Sequence, residues 1–402
     1  MHWSPVANNT LAPEVTNKVK QIAQSLYELD EETLFNNISL MGGSSGVALF
    51  FIYYAQVFED EAYFDKAVEI IQRNSEIIFN QENSMSFSFG LAGFTWFLKH
   101  IQKEELVDIE ADEMVEVLER FLATEMIKQI RVWNYDYLHG ALGIALYFLS
   151  ANSHLDLVRE VIKSIKDHAI TDKNGGIKWE YYTNGELQPE EYNLGLSHGI
   201  PSIIAFLTKA YQKDINKETC LELINGGIEY LMQVKNDGEQ HDFYWPYSIK
   251  ENSPKDESRL AWCYGDLGLS MSLLNAAQIT GNKALYDKVK AILLEVSERR
   301  DIHKNQIWDA CFCHGSAGAA YIFQKAYHIT QEPSFKQASQ YWLTCTLDFS
   351  RHEGGYAGFK TYVMEDGYRN VPGLLEGVAG IGLSLLASLS EEGEGWDECF
   401  LL

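Results

Sequence analysis

The chain has 402 residues, 46% of them apolar, enough for one large or two ordinary domains with a sizeable core. With 32 Lys and Arg against 57 Asp and Glu, its net charge of −25 disfavours nucleic acid and anionic membranes, and suits either basic peptides or simply a well-solvated surface. Six cysteines are too few for a disulfide scaffold, the longest apolar run (47–58) is too short to cross a bilayer, and residues 1–12 lack an export signal, so a cytoplasmic protein with reduced thiols is expected.

One short pattern recurs along the chain: a glycine, two residues, a second small residue, then an apolar helix. It reads GSSGVALFFIYY from Gly43, GLAGFTWFL from Gly90, GALGIALYFL from Gly140, GIPSIIAFL from Gly199, GDLGLSMSLL from Gly265, GSAGAAYIF from Gly315 and GVAGIGLSLL from Gly377. Only the fourth copy lacks the second glycine. Successive first glycines lie 47, 50, 59, 66, 50 and 62 residues apart, room each time for two helices of about 15 residues and their connections. The helix after each glycine is apolar nearly all round and should be buried. The segment between is amphipathic, as in Tyr63, Ala67, Ile71 and Ile78 against Asp65, Lys66, Glu69 and Arg73.

Periodicity alone does not decide between an open solenoid and a closed array. The seventh apolar helix, close to the C terminus, would be left bare in an open one, which favours closure. The fold expected is therefore all-α, an α/α toroid of seven inner and seven outer helices, forming one domain over residues 1–402. Polar stretches at 171–193, 236–258 and 351–372, with turn signals Asn184-Gly185 and Asp366-Gly367, are expected to form small hairpins.

The repeat supplies a coordinate system. One residue before the first glycine stand His139, His198, Tyr264, His314 and Glu376, and two before it stand Ser197, Cys263, Cys313 and Leu375. Ionisable groups thus crowd the end at which the buried helices begin, where exposed N–H groups and helix dipoles would favour anions such as thiolates. Cys263 and the pair Cys313-His314 offer two thiolates and an imidazole, a set that suits zinc with its fourth position open. A lone cysteine is more often an inert apolar residue, but two in one repeat slot point to a metal.

Cys311 stands four before its glycine and is expected to be a packed thiol. His198 shares the slot of His314 with no cysteine beside it, which suits a proton donor or acceptor; alone, a carbonyl-bonded core histidine would be the blander reading. Asp136 and Arg259 precede their helices at the same end, placed to pair with each other or to orient His198, though a surface ion pair would explain either one alone. His139, Asp266 and Glu376 are expected to be structural or to support the residues around them.

The motifs YDYLHGALG, GLSHGIPS, RLAWCYGDLG, CHGSAG and LLEGVAG occur in the order seen in the lanthionine synthetase C-like proteins, the cyclases of lanthipeptide biosynthesis, and the chain resembles that family over essentially its whole length. The resemblance implies a seven-plus-seven helix toroid, Zn2+ held by Cys263, Cys313 and His314, and an active site containing Asp136, His198, Arg259 and Tyr264. Pro201 and Ser202 after His198-Gly199, and the extra thiol Cys311, depart from the family's pattern without touching the metal set.

The implied reaction is intramolecular addition of peptide Cys thiolates to dehydroalanine or dehydrobutyrine in a dehydrated precursor peptide. His198 would protonate the enolate, Asp136 or Arg259 would orient it, and Tyr264 would hydrogen-bond near the sulfur or the enolate oxygen. With no dehydratase-sized region in front, the chain resembles the free-standing type, expected in the cytoplasm, peripheral to a membrane-associated complex with a separate dehydratase and an export transporter. Three other readings stay open: a glutathione-binding member that adds glutathione to dehydrated residues, a non-catalytic peptide-binding scaffold, and a carbohydrate-active toroid with two opposed carboxylates.

Overall fold

All seven repeat glycines end a stretch of non-helical backbone and start a helix. The computed structural model describes residues 3–80, 83–236, 242–250, 258–393 and 395–402. In chain order its helices are α1 (Leu11–Tyr27), α2 (Glu31–Phe35), α3 (Ser44–Phe58), α4 (Glu61–Ile77), α5 (Leu91–Lys103), α6 (Asp112–Arg131), α7 (Ala141–Ala151) and α8 (Leu155–Asp167). They continue with α9 (Ile200–Gln212), α10 (Lys217–Val234), α11 (Asp266–Thr280), α12 (Lys283–Val296), α13 (Ser316–Thr330), α14 (Pro333–Asp348) and α15 (Val378–Leu389). The glycines cap α3, α5, α7, α9, α11, α13 and α15, whose side chains are buried almost throughout, as their composition predicts.

A glycine cap has no side chain to accept a hydrogen bond, so the first-turn N–H groups need another acceptor. In five of the seven the loop in front of the helix supplies it. Ser44, Leu91, Ala141, Ser316 and Val378 donate their N–H to the carbonyls of Asn37, Ser84, Asn134, Asp309 and Val371, each seven residues back. The exposed N–H groups expected at these helix starts are therefore largely consumed within the protein. The second glycine makes room for that loop: a Cβ at Gly46, Gly143, Gly268, Gly318 or Gly380 would sit 1.8–2.4 Å from the carbonyl oxygen of Leu40, Tyr137, Trp262, Phe312 or Leu374. In the fourth repeat Ser202 takes this place, and its hydroxyl donates to the Gly199 carbonyl.

The remaining long helices are amphipathic. On α4, Ala67, Ile70 and Ile71 are buried while Lys66 and Glu69 pair on the outer face, as the periodicity predicts. Packing divides the chain into two compact units. The first comprises Met1–Ser84, Ser88–Glu110 and Ser297–Trp396, and in it α3 packs on α4, α13 on α14, and α15 on both α3 and α13. The amphipathic partner that α15 lacks in its own repeat is α1, which lies on α15 and α14. The N–H groups of Val6 and Ala7 both donate to the Ser388 carbonyl, tying the start of the chain to the last helix.

The second unit comprises Met85–Phe87, Ala111–Val296 and Asp397–Leu402. Here α6 and α8 cover α7, α10 covers α9, α12 covers α11, and α9 packs against both α7 and α11. The C-terminal residues satisfy two buried aromatic donors: Tyr137 Oη donates to the Cys399 carbonyl and Trp262 Nε1 to that of Phe400. Among the described residues no helix is long and apolar enough to cross a membrane.

The strands are short. β1 (Ile170–Thr171) pairs with β2 (Ile177–Lys178), and β3 (Tyr182–Thr183) pairs with β4 (Glu186–Leu187) across the expected Asn184-Gly185 turn. Both turn residues have positive φ, 51° and 83°, the left-handed conformation that Asn and Gly tolerate best. The expected hairpin within 236–258 is replaced by a non-local pairing of β5 (Glu191–Asn193) with β6 (Ser248–Lys250). Residues 237–241 and 251–257 of that stretch lie outside the described residues. β7 (Thr361–Val363) and β8 (Gly367–Arg369) form the third hairpin as expected.

Gly380→Ala forces a methyl group to 1.9 Å from the Leu374 carbonyl oxygen. A loss of about 1–3 kcal/mol of unfolding free energy is expected in urea denaturation, the usual cost of overpacking a tight contact. An unchanged midpoint would show that the loop does not depend on this close approach.

Candidate functional site

Asn134, Asn193 and Asp309 each stand six residues before a repeat glycine, and in each the side-chain oxygen accepts the N–H of the residue two further on. These Asx turns shape the loops that carry the candidate chemistry. The pattern is written in the sequence, with Asn37 making the same bond in the first repeat, but it was not among the expected site features.

In the second unit the turn at Asn134 places Asp136 just ahead of α7. Its carboxylate is buried and fully engaged: Oδ1 accepts the His139 N–H at 2.7 Å, and Oδ2 lies 2.6 Å from His198 Nδ1. Of the two residues expected to orient His198, Asp136 is the one in contact with it. Burial by itself would lower the pKa of the His198 imidazole. The hydrogen bond and charge of Asp136, aided by the nearby Cys263 sulfur, outweigh burial and hold it above the usual value. His139 stacks on His198 with ring centres 5.8 Å apart, and burial lowers its pKa despite the pull of Asp136. Two histidines in equivalent repeat slots are thus driven in opposite directions.

Tyr264 follows Cys263 directly, and its ring centre is 6.0 Å from that of His198. Asn193 Nδ2 donates to Tyr264 Oη at 3.1 Å, leaving the phenol proton to be given elsewhere. Burial, with the charges of Cys263 and Asp136, raises the phenol pKa beyond its usual value despite the Asn193 bond, so Tyr264 keeps its proton. Arg259 donates from Nε to Tyr247 Oη at 2.9 Å, and the Tyr247 ring meets that of Tyr264 edge-on at 5.2 Å. Arg259 therefore bears on Tyr264 through Tyr247.

Asn134, Asp136, His139, His198 and Tyr264 line a cavity of about 470 Å³, and the β3–β4 hairpin, from Tyr181 to Gly185, forms its other wall. The glycine motif gave no sign of that wall, because the hairpin lies in the polar stretch between the third and fourth repeats. Cys263 is buried beside these residues, and its carbonyl accepts from both the N–H and the hydroxyl of Ser197. Asp266 is structural, as expected: its carboxylate accepts the N–H groups of Tyr244 and Trp245.

In the first unit the loop before α13 carries Asp309, Cys311, Cys313 and His314. Asp309 is 1% exposed, and its two oxygens accept the N–H groups of Cys311 at 2.9 Å and Tyr362 at 2.8 Å. Its Oδ2 is 3.9 Å from His314 Nε2, close enough to orient that imidazole as a metal ligand. Ligand atoms of Asp309, Cys311 and His314 all lie within 4.8 Å of one another. In the metal-free protein burial first, then the Asp309 charge, push the Cys311 thiol up to about 12. Cys313 is buried, and its N–H donates to the Leu375 carbonyl. The sequence pointed to the cysteines and histidine of this loop; Asp309, which organises it, was missed.

The Asp136 contact should set the ionisation of His198. In metal-free protein, Asp136→Asn is expected to lower the His198 pKa, read from its imidazole proton shifts by NMR. Because the folded-state pKa is raised, this contact stabilises the fold fully below the unfolded value of about 6.5 and ceases to do so as pH rises through the folded one. The variant should therefore lose stability chiefly on the acid side. An unshifted His198 titration would show that the carboxylate does not govern it.

Comparison with known proteins agrees with the geometry. The family model described as lanthionine synthetase C-like protein matches residues 34–401. The nisin biosynthesis protein NisC of Lactococcus lactis subsp. lactis is 23% identical over 254 residues, spanning 57% of this chain and 59% of that protein's length. The glutathione S-transferase LANCL1 of Danio rerio is 22% identical over 318 residues, 77% of this chain and 75% of that one. Among solved structures, nisin cyclase matches with a TM-score of 0.74 over 98% of both chains at 20% identity. That likeness shows the fold, the all-α, α/α toroid class expected from the repeats. With the family's pattern running through nearly every residue, the chain belongs to the lanthionine synthetase C-like proteins.

Proposed function

We propose that the chain is a zinc-dependent cyclase that forms lanthionine and methyllanthionine rings by adding peptide Cys thiolates to dehydroalanine and dehydrobutyrine. The observation that carries this reading is the Asp136–His198 pair, set in a cavity next to Cys263 and Tyr264 in a chain of this family. A proton donor with its pKa raised by a buried carboxylate, beside a neutral histidine, is the division of labour that addition to an activated alkene needs.

The donor chemistry fits zinc. Cys263 and Cys313 are buried thiols immediately ahead of α11 and α13, and His314 has Asp309 behind it to favour ligation. We assign these three residues as the metal ligands and leave Cys311 out, since it stands four places before its repeat glycine and not in the slot that Cys263 and Cys313 share. When bound, zinc supplies a Lewis acid that lets an incoming thiol, with a free pKa near about 8.5, give up its proton at neutral pH.

The chain's own residues account for the remaining steps. As the sulfur bonds to the β-carbon, the alkene electron pair moves onto the α-carbon and the adjoining carbonyl oxygen. Tyr264 Oη, already accepting from Asn193, donates its proton's hydrogen bond to that oxygen. Asp136 holds His198 by Nδ1, which leaves Nε2 to deliver the proton to the α-carbon. Arg259 steadies Tyr264 through Tyr247. The thiol proton given up at the start and the one gained by carbon balance, so the peptide's mass is unchanged. The reading also carries a dehydrated precursor peptide made by a separate dehydratase and passed to an exporter.

The match to a relative named glutathione S-transferase favours a second reading, in which the same site adds glutathione to dehydrated residues. Incubation with a peptide bearing one cysteine and one dehydroalanine, in the presence of glutathione, separates the two by mass spectrometry after thiol alkylation. Product of unchanged mass that resists alkylation is expected; predominant glutathione adducts would favour the second reading. Cys263→Ala should remain folded, lose zinc by elemental analysis and lose cyclisation. His198→Asn should retain zinc and lose about 10²–10⁴-fold in kcat. Unfolding of Cys263→Ala, or full activity of His198→Asn, would count against the assignment.

A further inference from the structure

The loop of Cys313 and His314 does not stand alone in the first unit. The β7–β8 hairpin is fastened to it: the Tyr362 N–H donates to the buried Asp309 carboxylate, and Tyr368 Oη donates to the Trp308 carbonyl at 3.0 Å. Thr361 Oγ1 also donates to the Glu376 carbonyl, fixing the hairpin to the start of α15. A hairpin anchored at three points presents its outer side chains rigidly.

Those side chains are large and apolar. Trp308 is 38% exposed, Tyr368 43% and Met364, in the turn, 83%. Their rings run in a chain, with centres 6.2 Å apart from Trp308 to Tyr362, 5.3 Å from Tyr362 to Tyr368, and 4.4 Å from Tyr368 to His352. Trp, Tyr and Met are enriched where proteins grip partners; the two aromatic types lose little entropy on binding, and the flexible Met adapts to the shape it meets. β8 adds main-chain groups: among the described residues β7 and β8 pair as strands only with each other, and with the Tyr362 N–H of β7 taken by Asp309 it is the β8 edge that an extended chain can meet.

We propose that Trp308, Tyr362, Met364 and Tyr368 form the shelf on which an extended segment of the peptide substrate lies, gripping apolar or aromatic residues that flank the reacting cysteine. The occupant follows from continuity. The shelf shares Asp309 with the loop that carries Cys313 and His314, so a chain threaded to that loop runs onto it. This inference rests on the reading of the site as one that receives a peptide cysteine. It adds a specificity-determining surface outside the ligand and proton-transfer groups.

The test uses two fluorescein-labelled ten-residue probes, each with one cysteine and one dehydroalanine, flanked in one by Phe and Leu and in the other by Gly and Ser. Anisotropy titrations of the zinc-loaded full chain are expected to show the apolar probe binding at least about tenfold more tightly. Met364→Ser combined with Tyr368→Ser should abolish that preference by weakening the apolar probe to the affinity of the Gly/Ser probe. Met364→Ser alone, which breaks no hydrogen bond described here, should reduce the preference in part with an unaltered melting temperature. Equal affinity of the two probes for the unmodified chain, or a preference that survives in both variants, overturns the shelf. Because affinity is read directly, loss of the shelf is distinct from failure of the cyclase reading, which would appear as an absence of ring formation with either probe.

Discussion

The constraint on which the site depends is a close approach of backbone to backbone. In five of the repeats a carbonyl six residues back presses against the second glycine of the helix, and N–H groups of the first turn take their hydrogen bonds from the same loop. A loop held this tightly has little freedom left, and its last residues, one and two places before the glycine that caps the helix, emerge at fixed positions. His139, His198, Cys263, Tyr264, Cys313 and His314 all occupy those places. The repeated backbone device positions chemistry that differs from repeat to repeat.

Equivalent position does not mean equivalent chemistry, and the two neighbouring histidines show why. His198 and His139 precede consecutive glycine-led helices, and Asp136 is hydrogen-bonded to the ring of the one and accepts the main-chain N–H of the other. Desolvation acts on both imidazoles; at His198 the buried Asp136 carboxylate, hydrogen-bonded to the ring, outweighs it. A scaffold that repeats can thus host an asymmetric site, because single carboxylates such as Asp136 and Asp309 break the equivalence locally.

Much of this was legible in the sequence, and for a physical reason. Glycine is the one residue that tolerates a carbonyl where a Cβ would be, so the motif registers the close approach directly, and the chain before it registers the site. Cys263, Cys313, His314, His198 and Asp136 were all found by counting back from a glycine. The features missed are those with no local signature. The bond between Arg259 and Tyr247 and the pairing of β5 with β6 join residues in irregular insertions, where no period marks the register. Asn134, Asn193 and Asp309 did recur at a fixed distance, but Asx residues are common in turns for their own local reasons, and the signal was passed over. The bare face of α15 was foreseen from its composition; that α1 would cover it was not, since nothing in an amphipathic helix names its partner.

That pairing of α1 with α15 bears on how the molecule comes into being. A chain leaves the ribosome from its N terminus at about 5–20 residues per second. By that measure the first amphipathic helix waits for hundreds of residues, some tens of seconds, before the surface meant for it exists. Contacts at such separation are slow to form and pay a large loop-closure entropy. Until the last repeat is made, the apolar stripe of α1, with Val15, Val19, Ile22 and Leu26, lacks its main native partner, keeping only smaller contacts with α3, α4 and α14, and is open to chaperones or to misassociation. The α1–α15 contact is therefore a late event in maturation, and everything packed before it must hold without that clasp.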